Sequence, residues 1–299
     1  MTFRRHIFNS ERAIARAATP ADLTSVSQLL VTARHFLINY AGQDLSELIG
    51  HTPGALITAD QFVWAAAIAG YAHAKSAWLR TLVFADGLKI NQGLSLLMPA
   101  LHEQARAAGV QQIYYGGDAV SDIWLAPHLI TYGYVHETHV ITYEKGRMRV
   151  PASGNQDVVV RPVQVSDLDT ILAIDQACFE LHWAKDQPAL RLALQESPLF
   201  LIAELGQKPI GYTFVMDYYE GRQLHLVRIA VLPNMRSQGI GVRLLADVVD
   251  FARNARAELL TLNTQEYNTP ARRLYEWFGF RQTGERQLIL RADLDPKNK

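Results

Sequence analysis

From Arg236 to Gly241 the chain reads Arg-Ser-Gln-Gly-Ile-Gly, with an amphipathic stretch directly behind it. Backbone N–H groups gathered beside glycines at a helix start form a cradle for a phosphate or pyrophosphate. Gly239 and Gly241 lack a Cβ, so phosphate oxygens could approach the main chain closely. The N–H groups of Ser237, Gln238, Gly239, Ile240, Gly241 and Val242 are candidate binders, and Arg236 is a nearby cation. Two common phosphate loops do not fit. A dinucleotide fingerprint needs a third glycine where Leu244 stands, and a P-loop needs Gly-Lys-Ser/Thr where the chain has Gly241-Val242-Arg243.

Several elements must hold this loop. The apolar run Val227–Leu232 stops at Pro233, so a strand over Leu224–Leu232 feeds the loop. Behind it, Leu245, Val248, Val249 and Ala252 follow the i, i+3, i+4, i+7 spacing of a helix with one buried face. Upstream, Val158–Arg161 reads as a strand and Asp167–Cys178 as a helix capped by Ser166. Ala189–Leu194 belongs to a second helix with Pro188 at its start. Leu199–Glu204 and Ile210–Tyr218 form a strand pair. Downstream, Leu259–Asn263 is a short strand, and Thr269 caps a helix with Pro270 at its first position. Ala271, Leu274, Tyr275 and Phe278 share one face of that helix. Gly279 provides its C-cap, and a strand runs from Phe280 through Leu290. The fold class is α/β, in the sense of an α+β mixed sheet with an antiparallel start. It lacks the regular alternation of a doubly wound sheet.

The downstream segment Asn268-Thr269-Pro270-Ala271-Arg272-Arg273-Leu274-Tyr275-Glu276-Trp277-Phe278-Gly279-Phe280 fills every specified position of N-x-x-A-x-x-L-Y-x-x-x-G-F. With the R-x-x-G-x-G loop and the opening Arg161-Pro162-Val163 and Asp167-Leu168, it resembles the GNAT superfamily of acyl-CoA N-acyltransferases. The resemblance implies acetyl-CoA as co-substrate, its pyrophosphate on the glycine loop, and direct attack by a primary amine in a ternary complex. It implies that main-chain N–H groups of Ile229, Ala230 and Val231 polarise the thioester carbonyl. It further implies that Tyr275 is the general acid and that Asn268 contacts the coenzyme. The general base stays open. Ribosomal-protein alanine acetyltransferases carry a Glu where this chain has Asn263, which leaves Glu266, His225 and Glu180 as candidates. The acceptor, a small-molecule amine or a peptide, stays open as well.

The first half echoes the second. Arg16 and Asp22-Leu23 recur as Arg161 and Asp167-Leu168, Arg80 as Arg228, Gly93 as Gly241, and Tyr132-Gly133-Tyr134 as Phe278-Gly279-Phe280, all at offsets of 145–148 residues. The expected layout is two tandem GNAT-like domains: a degenerate one over 1–146, a linker over 147–157, and an intact one over 158–299. In the first loop Leu88 replaces Arg236 and Asn91 replaces Gly239, so catalysis is not expected there. Residual coenzyme binding in that half stays open, since Lys89 could reach a phosphate.

Composition narrows the setting. The 29 basic residues balance the 29 acidic ones, so no basic field favours nucleic acid or an anionic membrane. The apolar run Phe62–Ala72 falls short of the roughly twenty residues that span a bilayer. The N-terminal stretch lacks the apolar core of a signal peptide, and Cys178 is the one cysteine. A cytoplasmic protein without a metal is expected; His128, His136 and His139 complete no known ligand spacing. Two alternatives to an enzyme acting on a free amine stay open: a non-catalytic coenzyme-binding scaffold, and a protein acetyltransferase whose first domain docks the substrate. Composition does not address the oligomeric state.

Overall fold

Apolar runs and alternations set the strands of both halves, and 3.6-residue stripes set the helices. The computed structural model describes residues 8–40 and 43–294; Met1–Ile7, part of the stretch read for a signal peptide, lies outside them. The first half forms β1 (Ile14–Ala17), α1 (Leu23–Thr32), β2 (His35–Ile38), α2 (Leu45–Leu48), β3 (Gly54–Ala59), β4 (Phe62–His73), β5 (Ser76–Phe84), α3 (Ile90–Ala107), β6 (Gln112–Gly116), α4 (Ser121–Trp124), α5 (Ala126–Thr131) and β7 (Tyr134–Lys145). The second forms β8 (Val159–Pro162), α6 (Leu168–Cys178), α7 (Gln187–Glu196), β9 (Leu199–Leu205), β10 (Lys208–Tyr218), β11 (Gln223–Val231), α8 (Ile240–Asn254), β12 (Leu259–Gln265), α9 (Thr269–Trp277) and β13 (Arg281–Asp293). Among the described residues, no helix is long and apolar enough to cross a membrane.

The chain does not part at 147–157. One compact unit comprises Met1–Glu137 with Gln287–Lys299, and the other comprises Thr138–Arg286. The cause lies in the last strand of each half. In the first unit the strand order is β1–β3–β4–β5–β6–β13, with β2 also on β5, and Ile289–Asp293 of β13 runs antiparallel to β6. In the second it is β8–β9–β10–β11–β12–β7, with Val140–Lys145 of β7 antiparallel to β12. Each sheet therefore makes three antiparallel steps and one parallel step, and is then joined by a strand whose sequence belongs to the other half.

Side-chain alternation explains why the exchange is stable, since residues two apart on a strand share a face. Leu290 and Ala292 enter the first unit's core beside Leu94, Leu97 and Met98. Ile141 and Tyr143 enter the second unit's core beside Leu262, Tyr275 and Phe278. Residues 147–157 are not a free linker, because Met148 and Val150 pack on that second core.

The repeated Arg–Asp landmark is a structural device in both halves. Arg16 grips Asp22 at 2.6 Å and Arg161 grips Asp167 at 2.7 Å. In each half the aspartate also accepts a backbone N–H three residues upstream, from Thr19 or Gln164, and so closes a 3₁₀ turn before the first helix. That turn moves the N-cap of α6 from Ser166 to Asp167.

Candidate active site

Strands β10 and β11 pair from Gly211↔Val231 to Tyr218↔Gln223, but a bulge at Val227 interrupts the register between Phe214↔Arg228 and Val215↔Leu226. The parallel partner β12 follows β11 only from Gln223↔Leu259 to Leu226↔Leu262. Beyond Leu226 the two strands separate and β12 continues alongside β7. Leu232 N donates to Ile210 O at 2.9 Å, which sets the phase of the β10–β11 ladder. In an antiparallel ladder, hydrogen-bonded and non-bonded pairs alternate. Tyr212↔Ala230 is then a bonded pair, whereas Ile229 and Val231 turn their main-chain groups toward the side that β12 has left. Of the three residues expected to supply donors there, Ala230 is committed to β10.

The glycine loop follows at once. A 3₁₀ turn over Pro233–Met235 leads to Arg236, whose Nε donates to Val231 O at 3.2 Å, so the guanidinium is anchored to the strand end. Ser237 and Gly239 both take left-handed backbone, with φ of +62° and +76°. Gly239 is the N-cap of α8, and that conformation is why a glycine is needed there. Residues 154–155 back the loop: Asn155 N donates to Gly239 O at 3.2 Å and Asn155 Nδ2 to Gln238 O at 2.9 Å. With those carbonyls engaged, the N–H groups of Ile240, Gly241 and Val242 remain at the helix entry, at the positive end of the α8 dipole.

Gly241 has a different reason to be glycine. Its backbone is helical, and a Cβ there would meet nothing in the protein closer than 3.6 Å. Neither conformation nor packing demands its small size. What it leaves is room beside the free N–H groups, which suits the oxygens of a pyrophosphate.

In the first unit the matching position is closed. A Cβ on Gly93 would stand 2.5 Å from the ring of Phe84 and 3.2 Å from Leu88, so side chains of the unit itself occupy that space.

Helix α9 carries Tyr275, which is 5% exposed and packs between the rings of Tyr143 and Phe280 at 6.2 and 6.0 Å. Burial pushes its hydroxyl well above the ordinary tyrosine range, so it holds its proton at neutral pH. Asn268, not Thr269, is the N-cap of α9: its Oδ1 accepts from Ala271 N at 3.4 Å. Gly279 takes the expected left-handed conformation after the helix.

The candidate bases are differently placed. Glu266 is ion-paired to Arg286 at 2.7 Å and lies 3.3 Å from His139 Nδ1. Glu180 is exposed, 3.8 Å from His182 Nδ1. His225 is half-buried, its Nδ1 lies 2.8 Å from Thr261 Oγ1, and burial lowers its pKa, favouring the neutral imidazole.

A buried polar network beneath β11 was not legible beforehand. Asp175 of α6 is fully buried, 3.0 Å from the Arg228 guanidinium; it accepts from Tyr212 OH at 2.5 Å and from Lys185 N at 2.7 Å. Arg228 also donates to Trp183 O at 2.6 Å and lies 3.8 Å over the Phe179 ring. The network ties the loop over residues 179–186 to the strand residue just before Ile229. The available signal was the recurrence of Arg80 as Arg228. Arg80 pairs with no carboxylate among the described residues, and burial lowers its pKa to about 10.

Comparison with known proteins agrees with this layout. Residues 168–280 match the acetyltransferase (GNAT) family. The chain is 27% identical over 128 residues to a putative ribosomal protein bS18 alanine N-acetyltransferase of Bacillus subtilis, an alignment spanning 43% of this chain and 83% of that protein. A GCN5-related N-acetyltransferase from Sphaerobacter thermophilus superposes with a TM-score of 0.61 at 17% identity, over 97% of this chain and 98% of that one. A tandem GNAT protein from the clavulanic acid biosynthesis pathway superposes with a TM-score of 0.57 at 14% identity, over 95% and 99%.

Proposed function

Since residues 168–280 match the GNAT acetyltransferase family, we propose that the chain transfers an acetyl or short acyl group from acetyl-CoA to the primary amine of a small molecule or peptide. The carrying observation is the separation of β11 from β12 beyond Leu226, immediately before the glycine loop. It leaves Ile229 and Val231 as main-chain donors at an open strand edge, in line with the entry of α8.

The bound coenzyme would supply an activated acyl thioester. Ile240, Gly241 and Val242 hold its pyrophosphate through their N–H groups, and the space beside Gly241 admits the phosphate oxygens. Ile229 and Val231 orient and polarise the thioester carbonyl. An amine arrives as ammonium and must give a proton to water before its nitrogen attacks the thioester carbon and the carbon–sulfur bond breaks. Tyr275, held protonated by burial, returns a proton to the departing thiolate. Asn268 holds the entry of α9, and its interaction with the coenzyme is part of the same proposal.

The test is to incubate the full chain with acetyl-CoA and panels of amines and peptides while following release of free CoA. Release with at least one acceptor is expected. Tight acetyl-CoA binding without release for any acceptor would overturn the enzymatic reading in favour of a non-catalytic coenzyme-binding protein.

A further inference from the structure

Helix α9 is nine residues long, too short to hold its own geometry by propensity. The strand that fixes it is β7, whose sequence closes the first half. The register Leu262↔Tyr143 and Leu260↔Lys145 puts both side chains on one face of β7. Tyr143 is fully buried; its hydroxyl donates to Glu276 Oε1 at 2.8 Å and accepts from Arg272 Nε at 3.3 Å. Those two residues bracket Tyr275 on α9. Lys145, 5% exposed, donates to Phe278 O at 2.5 Å and lies 5.8 Å from the Phe280 ring. A buried cation thus caps the C-terminal end of α9, where the helix dipole favours it.

Tyr275 is therefore held between a ring from β7 and the Phe280 ring that Lys145 adjoins. On the reading of Tyr275 as the general acid, we infer that β7 is a working part of the second unit's active site, with Tyr143 and Lys145 as positioning residues that act through Tyr275. The first half then has a role that its closed glycine loop does not suggest: it supplies the strand that aims the acid.

The test uses the full chain with Tyr143→Phe and Lys145→Met, each alone and combined with Tyr275→Phe. Tyr143→Phe keeps the ring and removes only the hydroxyl that bridges Glu276 and Arg272. It should lower kcat about five- to tenfold while leaving acetyl-CoA affinity within about twofold, because misplacing a catalytic group costs rate and not coenzyme binding. It should add no further loss in the Tyr275→Phe background, since residues that act as a unit are non-additive. In protein labelled with 13Cζ-tyrosine, the Tyr275 resonance should move in Tyr143→Phe. Fully additive losses, or an unmoved Tyr275 resonance, would overturn the inference. Absence of turnover in the parent chain would sink the enzymatic reading alone, because the resonance still reports whether β7 positions Tyr275. If Lys145→Met does not fold, Tyr143→Phe carries the test, and Lys145→Arg should retain the cap.

Discussion

Gly93 is kept small by Phe84: a Cβ on Gly93 would stand 2.5 Å from that ring. A Cβ on the corresponding Gly241 would make only ordinary contact, 3.6 Å from Leu274 and 4.0 Å from Val231. The same residue type at matching places in two related loops thus answers to packing in one and not in the other. The open question of residual coenzyme binding in the first half follows from this contrast, and we propose that only the second loop binds acetyl-CoA.

The two glycines should separate under one substitution. Gly241→Ala should weaken acetyl-CoA binding at least about tenfold while leaving thermal stability unchanged or slightly raised, since Ala is favoured over Gly in a helix by about 1 kcal/mol. Gly93→Ala should cost about 1–3 kcal/mol through overpacking and leave coenzyme affinity alone. Calorimetric titration with thermal melts of both variants checks this. Loss of binding in Gly93→Ala with retention in Gly241→Ala would reverse the choice of site.

Tyr275→Phe should lower kcat about a hundredfold while holding acetyl-CoA affinity within about twofold. The acid must be protonated to act, and burial raises its pKa above the ordinary 10.0. Activity should therefore show no decline from tyrosine ionisation as pH rises to 10. A pH–rate profile that falls through pH 9 in the parent and not in Tyr275→Phe would contradict the burial argument.

The Asp175–Arg228 pair sits in the core, with Asp175 fully buried. Removing one partner leaves an uncompensated charge, so Asp175→Ala should destabilise the second unit by about 3–5 kcal/mol. Denaturant titration measures this directly. A loss below about 1 kcal/mol would mean that solvent reaches the arginine.

His102, buried on α3, has its pKa lowered to about 4 from 6.5, first by burial and then by Arg106. The unfolded chain takes up this proton below about pH 6.5, but the folded chain resists until near 4. Stability from this group is therefore full above pH 6.5 and is lost as pH falls toward 4, an effect of about 3 kcal/mol. His102→Leu should flatten the acid limb of the unfolding free energy measured at several pH values. An unchanged limb would assign the acid sensitivity elsewhere.

Local chemistry made much of this protein readable. The C-cap Gly279, the strand ending at Pro233 and the amphipathic α8 all follow from backbone and side-chain preferences over a few residues. The paired Arg16–Asp22 and Arg161–Asp167 landmarks were visible because each lies within a seven-residue window and performs the same turn-closing task twice. The Asn268–Phe280 motif marked the resemblance because its helix carries cap, core face and the proposed acid in one segment.

Other features depended on which strands lie side by side. Nothing local to Tyr143 or Lys145 indicates that β7 leaves its own half, because an alternating strand satisfies either sheet equally well until the partner's side chains are in place. Asp175 reads as an ordinary helix-surface acid until Arg228, fifty-three residues later, is brought beneath it. The same holds for the stretch over 147–157, whose polar, glycine-containing composition suits a linker but whose Asn155 backs the glycine loop. The sequence by itself determined the second half's match to the acetyltransferase family and the place of its glycine loop, since both rest on short-range spacing. Tertiary structure alone decided that α9 is held by a strand from the first half, because strand exchange and buried pairing are long-range choices made by packing and not by neighbours in the chain.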